Sequence, residues 1–167
     1  MIIKWIRTSN VAAGILLVMR VYLGWLWLSA GFGKVTTVGG WSAAGFLQNA
    51  AANPVTKNGV PAYEWYTSFL ESFAIPNAKL FSFLVSYGEV LVGLGLILGC
   101  LTTWAAFFGM VMNFAFLLAG TVSHNPTDII SEIFICVAGV NAGKFGLDYY
   151  VMPYLRNLII KDKSQSV

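Results

Sequence analysis

The chain has 167 residues, the size of one ordinary domain, of which 57% are hydrophobic and only 10% charged; soluble domains average roughly 45–50% and about 25%. A mean hydropathy of +0.72 and a net charge of +3 exclude a disordered chain, a nucleic-acid binder and a water-soluble globule. Two cysteines build no disulfide framework and match no zinc spacing, which leaves a small integral membrane protein.

Lys4 and Arg7 precede the first apolar stretch, Val11 to Phe32. It is longer than the roughly 7–15 residues of a signal core, and Arg20 interrupts it, so it reads as a retained span and not as a cleaved leader. The link from Gly33 to Lys79 follows, its aromatic-rich part at 35–77. One short helix is expected around Trp41, Phe46 and Leu47, turns from Asn53-Pro54 to Pro61, and a second short helix from Tyr63 to Phe73. The aromatic content predicts a cap at the membrane surface, where Trp and Tyr settle. The same segment suits a lid over a site at the helix ends.

A second stretch runs from Leu80 to Leu98, a third from Thr103 to Val122 and a fourth from Ile129 to Phe145. A bilayer core of about 30 Å needs roughly 20 helical residues. The runs lack the strict alternation of a membrane barrel. The expected fold is therefore an all-α four-transmembrane-helix bundle, one domain over 1–167 with a basic tail at 152–167. Lys4 and Arg7 before the first span, and Arg156, Lys161 and Lys163 after the fourth, place both termini in the cytoplasm by the positive-inside rule. The link then lies outside, and the chain is expected to be multi-pass in the cell membrane.

Ionisable groups within spans cost several kcal/mol unless they face protein, water or each other. Arg20, Glu89 and Asn113 each fall about ten residues into their spans. The expectation is an Arg20–Glu89 ion pair near the midplane with Asn113 in reach. Helical spacing puts Arg20 on a stripe with Ala13, Gly24, Trp27, Gly31 and Lys34. Glu89 shares one with Ser82, Ser86 and Gly93, and Asn113 one with Gly109 and His124. Small and polar stripes of this kind face inward in membrane bundles. Gly95/Gly99 and Gly139/Gly143 read as helix contacts.

A second polar cluster is expected nearer the outside: Lys34, His124 and the face Asp128, Glu132, Cys136. Its acids and single histidine match no specific metal spacing, so no metal is assigned. One histidine excludes bis-histidine haem, no flavin motif is present, and without Cys-x-x-Cys no redox disulfide is assigned. At the exit of the fourth span, Lys144 and Asp148 are four apart, a spacing that suits either a pair along a helix or Lys144 reaching carbonyls near the helix end.

Three motifs carry a resemblance. Arg20-x-x-x-Gly24 with Ser29-Ala30-Gly31-Phe32-Gly33-Lys34, then Gly88-Glu89-x-x-x-Gly93, then Ala142-Gly143-Lys144-Phe145-Gly146-Leu147-Asp148 resemble the DoxX/DoxD family. The long first link and Asn125-Pro126 are similar to DoxD. The resemblance implies the membrane subunit of a thiosulfate:quinone oxidoreductase, which passes electrons from thiosulfate to membrane quinone beside a DoxA-like outer subunit. It marks Gly143, Lys144, Leu147 and Asp148 as signature residues.

Tested against the residues, a quinone needs an apolar slot, here Trp25, Trp27 and Phe32 with phenylalanines of the second and third spans. Lys34 and His124 supply donors, with His124 the proton carrier near neutral pH and Glu132 the third catalytic candidate. Arg20, Glu89, Asn113, Trp27 and Asp128 form the polar core or ligand pocket. Thiosulfate would be attracted by Lys34 with Lys57 or Lys79, and repelled by Asp128 and Glu132. The alternative is a non-catalytic membrane protein that binds a small solute or supports a partner subunit. Glycine-rich faces also permit a homo-oligomer.

Overall fold

The computed structural model describes the backbone of residues 1–165 and the side chains through Asn157. The side chains of Lys161 and Lys163 in the basic tail lie outside the described residues. The order is α1 (Ile2–Thr8), α2 (Asn10–Val35), α3 (Ala44–Ala52), a hairpin of β1 (Thr56–Lys57) and β2 (Val60–Pro61), α4 (Glu64–Phe69), α5 (Ala78–Leu98), α6 (Thr102–Leu118), α7 (Asn125–Ala138) and α8 (Asp148–Gln165). A π-helical turn (Leu70–Ala74) follows α4 and a 3-10 turn (Gly139–Gly143) follows α7.

The first break is chemical. Ser9 leaves the helix with ψ 135°, and its Oγ accepts from the Val11 and Ala12 amides at 3.2 and 3.4 Å. It ends α1 and caps α2. Asn141 Nδ2 donates to the Ile6 and Ser9 carbonyls at 2.7 and 3.0 Å, so the 3-10 turn ties down the break between α1 and α2. Both α1 and α8 gather around that turn. This is the terminal end of the bundle; the other is the link end.

By length and composition, α2 and α5 can each cross a bilayer, and α7 with its 3-10 turn plus α8 meets the test as a pair bent by 84°. The expected third and fourth spans are both cut short. Gly120 at φ 84° follows the end of α6, a 17-residue helix. Gly139 at φ 57° ends α7 after 14 residues, about 21 Å of rise. Ile129 to Phe145 is thus not one helix, because the backbone at Gly139 leaves the helical region.

The largest interface is α2 against α5, and glycine sets its depth. A Cβ added at Gly93 would stand 2.5 Å from the Leu28 amide nitrogen and 2.8 Å from the Gly24 carbonyl; one at Gly31 would stand 2.7 Å from the Val90 amide nitrogen. The stripes expected from spacing are the buried ones: Ala13, Arg20, Gly24, Trp27 and Gly31 on α2, Ser86, Glu89 and Gly93 on α5. Gly93→Ala should force the pair apart and destabilise the bundle by about 1–3 kcal/mol. Unfolding in detergent measures this, and a melting temperature unchanged from wild type would contradict the close approach.

The link folds back over one end. The Ala43 amide donates to Ser82 Oγ of α5 at 2.9 Å, and the Tyr66 hydroxyl to the Ala115 carbonyl of α6 at 2.9 Å. Between these ties Ala43, Leu47, Ala50, Leu70, Ala74 and Ala119 form a second core. Burial pushes the Tyr66 phenol above its ordinary pKa, which strengthens its hold on a proton that a phenol keeps at neutral pH in any case. Trp65 and Phe73 stay exposed, as interfacial anchors should. The turns expected from Asn53 to Pro61 are the hairpin, with Asn58 and Gly59 at positive φ.

Candidate functional site

Two polar clusters occupy opposite ends of the bundle, and they divide the expected residues differently from the sequence reading. Arg20 and Glu89 do not pair. Residue 24 of α2 packs on 93 and 97 of α5, and residue 31 on 89 and 90. This antiparallel register puts Arg20 at the far end of α5 and Lys34 beside Glu89. The expectation assumed that equal depth from each span's start meant equal height; the glycine contacts set a different register.

At the terminal end Arg20 is 1% exposed. Its Nη1 donates to the Leu96 carbonyl at 3.1 Å and its Nη2 to the Phe145 carbonyl at 2.5 Å. The guanidinium lies against Gly99 and Gly146, where no Cβ would fit. Asp148 does not pair with Lys144. Its Oδ1 accepts from the Leu101 amide at 2.6 Å and its Oδ2 from the Thr102 amide at 2.9 Å, capping α6 from a distant segment. Lys144 Nζ donates to Asn10 Oδ1 at 2.5 Å. Gly143 lies too close to Asp148 for a side chain, and the Leu147 amide donates to the Leu98 carbonyl at 3.0 Å. The signature Gly143, Lys144, Leu147 and Asp148 thus clamps the α5–α6 turn and the start of α2. Of the expected small-residue pairs, Gly95 meets Ala105 while Gly139 faces open space.

At the link end the remaining polar residues surround a cavity of about 510 Å³. Lys34 Nζ donates to Glu89 Oε2 at 2.6 Å, the Glu89 side chain being 3% exposed. The Trp41 ring centroid is 5.3 Å from the same Nζ. His124 Nδ1 is paired with Asp128 Oδ2 one turn along α7. Glu132, fully buried, accepts from Trp27 Nε1 at 3.1 Å and from Asn113 Nδ2 at 3.0 Å. Asn113 therefore serves Glu132 and not an Arg20–Glu89 pair. A Cβ at Gly109 would come within 2.5 Å of Glu132 Oε1, so that glycine makes room for the carboxylate.

The cavity wall carries Trp27, Lys34, Glu89, Asn113, His124 and Asp128, and is otherwise mostly apolar. Glu132 stands behind it, not on it. Phe81 and Phe116 supply the phenylalanines expected of the second and third spans. Trp25 and Phe32 are each 64% exposed on the outside of α2. Trp25 and Trp27 lie about 200° apart around a helix, so only one can face the cavity. Lys57 and Lys79 are exposed and line no part of it. Phe46, Tyr66 and Phe69 of the link form its cover; the sequence placed them on short helices but had no signal for which faces turn inward. Val85 and Thr121 line it too and carried no signal at all, and Asn125, marked only by the Asn125-Pro126 resemblance, lines it as well.

Such a chamber suits a flat, largely apolar molecule with a few hydrogen-bonding atoms. Lys34 has three donors and spends one on Glu89. The His124 side chain is 58% exposed, so its ring reaches both cavity and solvent. A quinone ring fits this donor set. A free dianion fits it poorly, since Glu89, Asp128 and Glu132 outnumber Lys34 at this end.

The family model for DoxX matches residues 15–121, more than half of the chain. The match takes in Arg20, Trp27, Lys34, Glu89 and Asn113, and stops before His124, Asp128 and Glu132. No curated protein and no solved structure matches the chain.

Proposed function

Because the chain belongs to the DoxX family of membrane proteins, we propose that it is the quinone-binding membrane subunit of an oxidoreductase, multi-pass in a prokaryotic plasma membrane. In this reading α2, α5, α6 and α7 all reach across the bilayer, both termini are cytoplasmic and the link lies outside. The observation that carries it is the cavity under the link, mostly apolar, with Lys34 and His124 as its donors. A bound quinone supplies acceptance of two electrons and two protons. Lys34 orients a ring carbonyl, Glu89 fixes Lys34, and Trp41 covers it. His124 relays protons from the outer solvent, and Asp128 holds its ring. Trp27 and Asn113 keep Glu132 in place behind the wall.

Thiosulfate is the proposed electron donor, two molecules joining through a new S–S bond as tetrathionate while two electrons leave. In this reading that step takes place outside the cavity, on a DoxA-like subunit, and the carboxylates at this end, which repel a dianion, support it. The test is thiosulfate-dependent reduction of a ubiquinone analogue by the purified membrane assembly. His124→Ala should slow it and flatten its pH profile near neutrality, while an unchanged circular-dichroism spectrum shows the fold retained. An unaltered profile removes His124 from the mechanism.

One observation favours a second reading. Lys34 with Glu89, and His124 with Asp128, already satisfy each other in pairs, as suits a non-catalytic protein that holds a small solute or supports a partner subunit. That reading expects no turnover and tight co-purification of a soluble partner.

A further inference from the structure

A second cavity, of about 1200 Å³, opens at the terminal end between α8 and the start of α6. Arg7, Lys144 and Arg156 line it. Arg7 Nε donates to the Val137 carbonyl at 2.8 Å, which fixes the guanidinium while its two terminal nitrogens make no hydrogen bond among the described residues. Lys144 is held by the neutral Asn10. The one carboxylate among the described lining residues is Asp148, 4% exposed, with both oxygens spent on the Leu101 and Thr102 amides. Three cations from three segments thus share a groove in which, among the described residues, no carboxylate is free to answer them.

The walls add a second requirement. Trp104 and Tyr149 line the same groove and are 60% and 62% exposed. A free phosphate would answer the cations and leave this apolar surface bare. A molecule with a phosphodiester head and acyl chains answers both. The 84° bend before α8 turns the helix across the end of the bundle, where headgroups lie.

We propose that this groove binds the headgroup of an anionic phospholipid, with Arg7, Lys144 and Arg156 on the phosphate and Trp104 and Tyr149 along the first part of a chain. Basic pockets between helices take anionic headgroups in this way. The site is separate from the link-end cavity and stands whatever that cavity holds.

The test is binding of phosphatidylglycerol and of phosphatidylcholine to the delipidated full-length protein in neutral detergent, followed by native mass spectrometry. Phosphatidylglycerol should bind roughly tenfold or more tightly at low salt, and each cation removed should weaken it about fivefold. The variants are Arg156→Gln, on the exposed face of α8, and Lys144→Gln/Arg156→Gln. Both should bind phosphatidylcholine as wild type does, which shows that they are folded. Glycerol phosphate alone should bind far more weakly than the lipid. Equal binding of the two lipids, unchanged phosphatidylglycerol binding in both variants, or glycerol phosphate binding as well as the lipid would each overturn the proposal.

Discussion

Lys34→Met should lower the stability of the protein by about 3–5 kcal/mol, the cost of leaving one half of a buried ion pair alone. Glu89 is 3% exposed and Lys34 Nζ is the group bonded to its Oε2. Adding Glu89→Gln in the same chain should restore most of the loss, because the unanswered charge goes with it. Chemical unfolding of the four species in detergent closes the cycle, with a coupling of about 3 kcal/mol expected, the top of the range for residues in contact. A double variant as unstable as the sum of the singles would show that the two side chains do not interact. The same cycle on Arg20 and Glu89 should give no coupling, since Arg20 lies about 14 residues back along α2, roughly 21 Å from Lys34.

Arg20→Met should cost about 3 kcal/mol or more for a different reason. Two carbonyls, of Leu96 and Phe145, lose a charged donor inside the protein, and hydrogen bonds to charged groups contribute about 1.5–3 kcal/mol each. Arg20→Lys should recover less than half, because an ammonium lacks the planar fork that reaches two acceptors at once. Any ligand of the link-end cavity should bind the folded fraction of Arg20→Met as tightly as wild type, as that cavity is far along α2. An unfolding temperature within a degree of wild type would contradict the clamp.

These two results separate what residue spacing reveals from what it hides. A helix repeats every 3.6 residues whatever its neighbours do, so the inward stripes through Arg20, Glu89 and Asn113 could be read directly. The stripe through Asn113 does not extend to His124 as expected, because α6 ends at Leu118 and Gly120 at φ 84° turns the chain; His124 pairs with Asp128 of α7 instead. The partner of each charge could not be read. It depends on the sliding register of α2 on α5, which Gly24, Gly31 and Gly93 decide through contacts between segments far apart in sequence. Glu89 therefore met Lys34, and Asp148 met amides 46 and 47 residues away. Gly139 looked like a contact residue and proved to be the point where α7 stops. The link helices were readable from their composition, but their inward faces follow from ties to Ser82 and Ala115 that no local pattern announces. The chemistry follows from the same division: the clamp keeps its groups locked to backbone, while the link end keeps donors that face a cavity.

Organic extraction of the purified protein tests the central claim most directly, with Val85→Trp, which fills the link-end cavity, as the comparison. The account predicts membrane quinone in near-stoichiometric amount from wild type and very little from Val85→Trp, the two sharing one circular-dichroism spectrum. Quinone retained equally by both, or absent from wild type, would contradict it.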